Sequence, residues 1–286
     1  MNDNANYRSA LRKMLNMPNS RSFVTIATGC IRRSLVSALL ILVILCPVGR
    51  AAAEEITVAA ASDLTFVFPE VAAKFQKESG NSVKFSFGSS GNFLSQIQNG
   101  APFDLFFSAD IGYPKKLEAA GLIEPGTLYE YAVGKLVLWV LNGSPLDLKQ
   151  GLAVLNDPHI NKIAIANPEH APYGRAAVAA MKYEKVYDQV SAKIVMGENI
   201  SQTAQFVQSG NADIGLLALS LAVAPSLKDK GRYELVPAAD YPPLEQAAVM
   251  IKSSGKKATA GKFLAFMKTP AILSLMRDYG FTVPSK

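Results

Sequence analysis

Cysteine is almost absent from this chain: the only two, Cys30 and Cys46, lie within the first 53 residues, so the remainder can form neither a disulfide nor a thiolate metal site. Histidine is equally scarce. His159 and His170 sit eleven apart on turn-rich stretches, a poor transition-metal set, and are read as solvated side chains. An excess of one charge is missing as well. The whole chain is +6, but residues 1–53 carry seven of the 29 Lys and Arg and one of the 23 Asp and Glu, leaving 22 of each beyond them. That balance removes the compositional support for a nucleic-acid partner. No P-loop, dinucleotide fingerprint or Gly-x-Ser-x-Gly elbow occurs in the required context, and no internal repeat or low-complexity tract is visible.

What is present begins with a leader. Arg32 and Arg33 precede the apolar run 35–48, and Ala51, Ala52 and Ala53 then place small residues at −3 and −1, the layout of a secretory signal cleaved near Ala53. The run is too short to favour a permanent span. A lipid anchor on Cys46 is the competing reading, disfavoured by Leu45 and Pro47 around it. Residues 1–53 are therefore expected to be removed, with the rest delivered to the periplasm.

Beyond residue 53, strand-like and helix-like segments alternate, which argues an α/β protein with mainly parallel sheets. Apolar residues at helical spacing run from Phe66 to Phe75 and stop at Gly80. Phe93, Leu94 and Ile97 repeat the pattern before Asn99-Gly100. A buried strand is expected at 104–108, followed by a helical segment at 115–120. The β-rich run 131–141, which holds Trp139, is long enough to cross between two lobes. A second α/β unit follows, with strands at 162–166, 193–196 and 213–217 and helices at 174–185 and 201–208. The stretch 246–252 is a second crossing candidate, and helices at 261–268 and 271–279 are expected to close the first lobe. Two crossings imply two hinge strands, with lobe 1 formed by 54–135 and 245–286 and lobe 2 by 136–244.

Four polar corners stand between strands and helices. Ala60-Ala61-Ser62-Asp63-Leu64-Thr65 and Phe87-Gly88-Ser89-Ser90-Gly91-Asn92 belong to lobe 1; Asn167 to Gly174 and Gly197 to Ser201 belong to lobe 2. Each puts free backbone N–H groups at a helix start, where anions bind, and all four lie beyond the carboxyl ends of strands. Singly, each also fits a plainer role: Ser62 as an N-cap, Gly88 to Gly91 as a tight turn, Tyr173 as a packed ring, Ile200 as core. Their joint arrangement points to a receptor for a tetrahedral anion, not to an enzyme.

Several motifs, in order, resemble the periplasmic molybdate-binding proteins of ABC importers: Ala59 to Ser62, Gly88 to Gly91, Phe106 to Asp110, Tyr131 to Trp139, Asn167-Pro168 with Ala171 to Gly174, Ala212 to Gly215, and Tyr279 to Phe281. The likeness covers nearly all of 54–286. It implies a two-lobed periplasmic-binding fold of type II that closes on molybdate or tungstate and delivers it to a membrane permease, acting as a monomer without a cofactor. It also implies a ligand set: Ser62 and Ser90 through hydroxyl and N–H, Tyr173 through its N–H and phenol, Ile200 through its N–H, and Asp63 through its backbone N–H. Asp63 departs from the family, whose members carry leucine or asparagine near that point. A carboxylate facing a dianion is repulsive. Two resolutions stand: Asp63 caps its helix with its oxygens turned to backbone N–H groups, or it accepts a proton from a protonated anion such as hydrogen phosphate.

Other constellations are weaker. Asp104 and Asp110 flank a buried strand and would suit strand-end capping and hinge contacts better than paired-carboxylate hydrolysis. Tyr129, Tyr131, Tyr183, Tyr187 and Tyr279 are too scattered for a tyrosinate ferric site. The competing functions are thus a receptor of the same fold for phosphate or sulfate, and a secreted hydrolase, which would need a general base that only Asp63 approaches.

Overall fold

The computed structural model describes residues 53–283. The expected leader therefore lies, apart from Ala53, outside the described residues. Among these, no helix is long and apolar enough to cross a membrane.

The apolar run at Ile56 forms β1 (Glu55–Ala61), which a single 3-10 turn, Ser62–Leu64, links to α1 (Val67–Ser79). Then follow β2 (Ser82–Gly88), α2 (Ser90–Gln98), β3 (Leu105–Ser108), α3 (Gly112–Ala119), β4 (Tyr129–Gly134) and β5 (Leu136–Leu141). After a kinked 3-10 stretch at Leu148–Asn156 come β6 (Ile163–Ala166), α4 (Pro172–Tyr183), α5 (Tyr187–Val190), β7 (Ile194–Gly197), α6 (Ile200–Gln208), β8 (Ile214–Ala218) and α7 (Leu219–Ala222). The chain closes with β9 (Gly231–Leu235), β10 (Leu244–Met250), α8 (Lys257–Phe266) and α9 (Pro270–Asp278).

Among the described residues, ten strands make two five-stranded sheets, β2-β1-β3-β10-β4 and β7-β6-β8-β5-β9. The two-lobed α/β architecture is the expected one, but the sheets are evenly mixed rather than mainly parallel. In the first, β1 pairs in parallel with β2 and β3, while β10 runs antiparallel to β3 and β4. In the second, β6 is parallel to β7 and β8, while β5 is antiparallel to β8 and β9. The antiparallel pairs arise where the chain passes between sheets, because a crossing strand enters its new sheet from the opposite end to the βαβ strands.

One crossing lies in the 131–141 run, which breaks at Lys135: β4 ends in the first sheet at Gly134 and β5 opens the second at Leu136. The other is earlier than expected. Residues 246–250 sit wholly in β10 of the first sheet, so the return is made by the segment after β9, residues 236–243.

Packing follows the period of two along the strands. Val58 and Ala60 of β1 face a cluster with Phe68, Phe75, Phe107 and Phe263, whereas Ala59 faces Phe93, Phe106, Leu117 and Val249 on the opposite side. The first sheet is thus covered on both faces, which is why its inner strands β1 and β3 read as nearly continuous apolar runs. Edge-on rings, 5.0 Å between Phe68 and Phe107 and 5.1 Å between Phe75 and Phe263, lock α1 and α8 to the sheet. Ile272 and Met276 of α9 join the same cluster, so both closing helices return to the first lobe. The second core is built around Trp139, with Ile163, Ile165, Met181, Val207 and Leu216.

Candidate functional site

The four corners meet. Ser62, Asp63, Ser90, Tyr173 and Ile200, together with Ala61, Gly88, Ser89, Ala109, Ala171 and Pro172, line one cavity between the lobes. The cavity is small, with about 200 Å³ of empty space, part of it open to solvent. No Lys or Arg is among these lining residues. Among the described residues, no cluster of three or more His, Cys, Asp or Glu could hold a metal ion.

Local folding explains why donors gather here. Ser90 opens α2, Ile200 opens α6, Tyr173 is the second residue of α4 and Ser62 starts the 3-10 turn. Their N–H groups belong to first turns and have no acceptor within their own helix. Pro172 at the first position of α4 loses nothing, since its missing N–H would have been an orphan. Ser90 is fully buried, and its Oγ accepts from the Ala109 N–H at 3.0 Å. That bond occupies an oxygen lone pair and leaves the hydroxyl hydrogen free to donate.

The cleft is closed over this cavity by contacts between lobes. Gly91 N donates to His170 O at 2.9 Å, and the His170 imidazole meets Ser89 Oγ at 2.9 Å. Asn92 Nδ2 donates to Glu198 at 2.6 Å. Ser201 Oγ donates to Ser62 O at 2.8 Å and lies 3.1 Å from Thr65 Oγ1. Arg175 pairs with Asp110 and donates to the Tyr113 hydroxyl at 2.7 Å. His170 is therefore not solvated, as its turn-rich surroundings suggest, but sits at the seam with its side chain 17% exposed; His159 is the solvated one, at 74%. Asp104 and Asp110 serve strand ends and loops: Asp104 accepts from Thr57 N and Ser254 Oγ, both at 2.7 Å, and Asp110 accepts from Gly112 N at 2.7 Å.

Asp63 departs from the capping expectation. Its carboxylate does not cap the helix through backbone groups. Oδ2 accepts from Gln246 Nε2 at 2.6 Å and from the Tyr173 hydroxyl at 3.1 Å, while Oδ1 is buried without a partner. Gln246 in turn accepts from the Tyr131 hydroxyl at 2.7 Å. All four side chains are at most 2% exposed, and they link the 3-10 turn after β1, together with β4 and β10 of the first sheet, to α4 of the second lobe. Burial pushes the Asp63 carboxyl up to about 6, against the lowering effect of the Gln246 and Tyr173 hydrogen bonds. Burial, and then the Asp63 charge, hold the Tyr173 and Tyr131 phenols well above their ordinary range. The Tyr173 phenol is thus committed to Asp63 and Gln246, leaving its backbone N–H as the group available to a guest.

Gly134 is what lets this network close. A Cβ there would collide with the Tyr173 hydroxyl and come within 2.8 Å of Gln246 Nε2. Sequence reasoning missed Gln246, Tyr131, His170 and Arg175 as members of the site. Only Gln246 carried a signal, a fully buried position held by an amide at the head of the apolar run Ala247 to Met250 of β10.

Comparison with known proteins agrees with this geometry. The profile of a family described as bacterial extracellular solute-binding protein matches residues 56–282. The chain is 40% identical over 231 residues to the molybdate-binding protein ModA of Rhodobacter capsulatus, covering 81% of this chain and 89% of that protein. It is 38% identical over 231 residues to ModA of Azotobacter vinelandii, covering 81% and 91%. The solved periplasmic molybdate-binding protein of Azotobacter vinelandii superposes with a TM-score of 0.77 at 35% identity, covering 80% of this chain and 100% of the other. The chain belongs to the bacterial extracellular solute-binding proteins, alongside the molybdate-binding ModA proteins, and is a binding protein rather than an enzyme.

Proposed function

We propose that this protein captures molybdate in the periplasm and presents it to the permease of an ABC importer. The observation that carries the reading is the convergence of three α-helix starts and one 3-10 turn, two of the four from each lobe, on one small cavity lined without a cationic side chain. Such an enclosure suits a compact dianion, because first-turn N–H groups and the helix dipoles behind them supply positive potential without a counter-ion. In this reading Ser62 and Ser90 donate through N–H and hydroxyl, and Asp63, Tyr173 and Ile200 through N–H. Each charge-assisted hydrogen bond contributes about 1.5–3 kcal/mol. Five to seven of them, less desolvation and closure, reach roughly −12 kcal/mol, a nanomolar complex.

Tungstate, with the same charge and shape, is expected to bind as well. Closure moves lobe 1, residues 54–135 and 245–286, against lobe 2, residues 136–244, and the closed form is what the permease reads. The protein works as a monomer without a cofactor, exported by its first 53 residues. Calorimetric titration of the mature protein with molybdate, tungstate, sulfate and phosphate tests the reading. Tight binding of the first two and failure of sulfate to compete are expected; no molybdate heat would overturn it. The buried Asp63 carboxyl favours one alternative, a receptor for hydrogen phosphate, which the phosphate arm decides.

A further inference from the structure

The Asp63 side chain is unexplained by a donor cage for a dianion. It lines the cavity and is 1% exposed, and an ionised carboxylate there would set charge of the same sign beside an anionic guest. Its two oxygens are unlike. Oδ2 is committed to Gln246 on β10 and Tyr173 on α4; Oδ1, the free oxygen, has no partner. In the ionised form Oδ1 is a buried acceptor with nothing to accept. In the neutral form the same atom is an O–H donor, the complement of an oxyanion, which only accepts.

We propose that the site takes up one proton with each oxyanion, so that Asp63 enters the loaded cavity as a neutral carboxylic acid whose Oδ1–H joins the donors. This rests on the oxyanion reading above and deepens it. The groups facing Asp63 hold no cation that would keep it ionised. Gln246 is neutral, the Tyr173 and Tyr131 phenols are held protonated by burial, and Ser220 of α7 donates to the Asp63 backbone oxygen at 2.7 Å. The ionisable side chains at the seam are engaged elsewhere, Arg175 with Asp110 and His170 with Glu198. The guest is met through its oxygens, so the proton competes with no metal bond. Burial, net of the lowering hydrogen bonds from Gln246 and Tyr173, already brings the carboxyl to about 6, and an arriving dianion acts in the same direction.

Linkage fixes the sign. If the anion raises the affinity of Asp63 for a proton, the proton raises the affinity for the anion equally. Above about pH 6 the free protein carries the carboxylate, so each binding event draws a proton from the buffer. Apparent affinity then falls by up to about tenfold per pH unit until the loaded form also ionises. Below about pH 6 the dependence flattens. Molybdate itself is fully deprotonated at neutral pH and contributes no proton.

The test is calorimetric titration of the mature protein with sodium molybdate between pH 7 and 8.5, in Hepes and in Tris, whose ionisation heats differ. Uptake approaching one proton per molybdate is expected, with affinity falling about five- to tenfold per pH unit. Asp63→Asn should make the heat independent of buffer and the affinity flat with pH. Molybdate binding by the natural protein without proton uptake would overturn the inference while leaving the receptor reading intact. Uptake that persists in the variant would overturn it too. The two-buffer comparison on the natural protein decides the matter even if the variant fails to fold. No molybdate binding under any condition would instead sink the receptor reading, and this inference with it.

Discussion

Gly91→Ala isolates closure from folding. Gly91 is the second residue of α2 and has ordinary helical geometry, so alanine fits its own lobe and adds helix propensity, up to about 1 kcal/mol. Across the cleft the position is different. A Cβ on residue 91 would lie 2.8 Å from the His170 carbonyl oxygen and 2.9 Å from its Cα and Cβ. Carbon contacts are comfortable at about 3.5–4.0 Å, so the lobes must part there by roughly 0.6–1 Å. The Gly91 N to His170 O bond of 2.9 Å is lost with that movement.

A guest held from both sides then cannot keep all its donors within hydrogen-bond range, since an added ångström takes a bond of about 2.9 Å outside it. If the two lobe-2 donors at Tyr173 and Ile200 are forfeited, the loss is about 3–6 kcal/mol, or roughly 10²- to 10⁴-fold in affinity. Titration calorimetry with molybdate measures this, and thermal melting without ligand supplies the control. The melting point should be unchanged or slightly higher while affinity collapses. A dissociation constant within about threefold of the natural protein's would refute the claim that closure across Gly91 and His170 is needed for tight binding.

Ser90→Ala should weaken molybdate binding by roughly ten- to a hundred-fold and also lower ligand-free stability by about 1–3 kcal/mol, because the buried Ala109 N–H loses its acceptor; calorimetry and urea unfolding read the two effects separately. Tyr173→Phe keeps the backbone N–H but removes a contact that spans the lobes, so roughly tenfold weaker binding is expected, and an unchanged titration would remove the phenol from closure. Without ligand, the raised Asp63 carboxyl binds its proton more tightly in the folded than in the unfolded chain, so its contribution is favourable in acid and is lost as pH rises from the ordinary 3.8 through about 6. That amounts to about 3 kcal/mol, measurable as a stability difference between the natural protein and Asp63→Asn that shrinks in acid.

Much of this was legible along the chain because the signals are local. β1, β3 and β6 announce themselves as apolar runs, and the helix starts at Ser90 and Ile200 follow polar or glycine corners that sequence reasoning can place within a residue. The less legible parts fail for physical reasons. β9 is the edge strand Gly-Arg-Tyr-Glu-Leu, with one side unpaired and half-exposed, so it lacks the apolar alternation of a buried strand. The helix α3 begins at Gly112, three residues before the expected 115, because Gly112 and Pro114 look like a turn although proline is tolerated in a first helical turn. A cap is one local expectation for Asp63, because capping partners lie nearby in sequence. Its actual partners are 110 and 183 residues away, and no local rule reaches that far. The seam position of His170 is hidden for the same reason, its contacts being set by the opposite lobe.

The fate of Arg175 shows why a dianion site can do without a cation. Arg175 is three residues past Pro172, on the helix whose start lines the cavity, and is well placed by sequence to serve as a counter-ion. Instead its guanidinium is spent on Asp110 and Tyr113 at the seam, where closing the lobes brings opposite charges together. A cation inside the cavity would hold any anion, open or closed, and would blur a compact tetrahedron with a flexible carboxylate. Dipoles from both lobes act at full strength only when the gap is shut around a guest of the right size, so affinity and closure become one event. Placing the fixed charges in the seam and the neutral donors in the cavity therefore couples release to opening, which a receptor that must surrender its cargo to a permease requires.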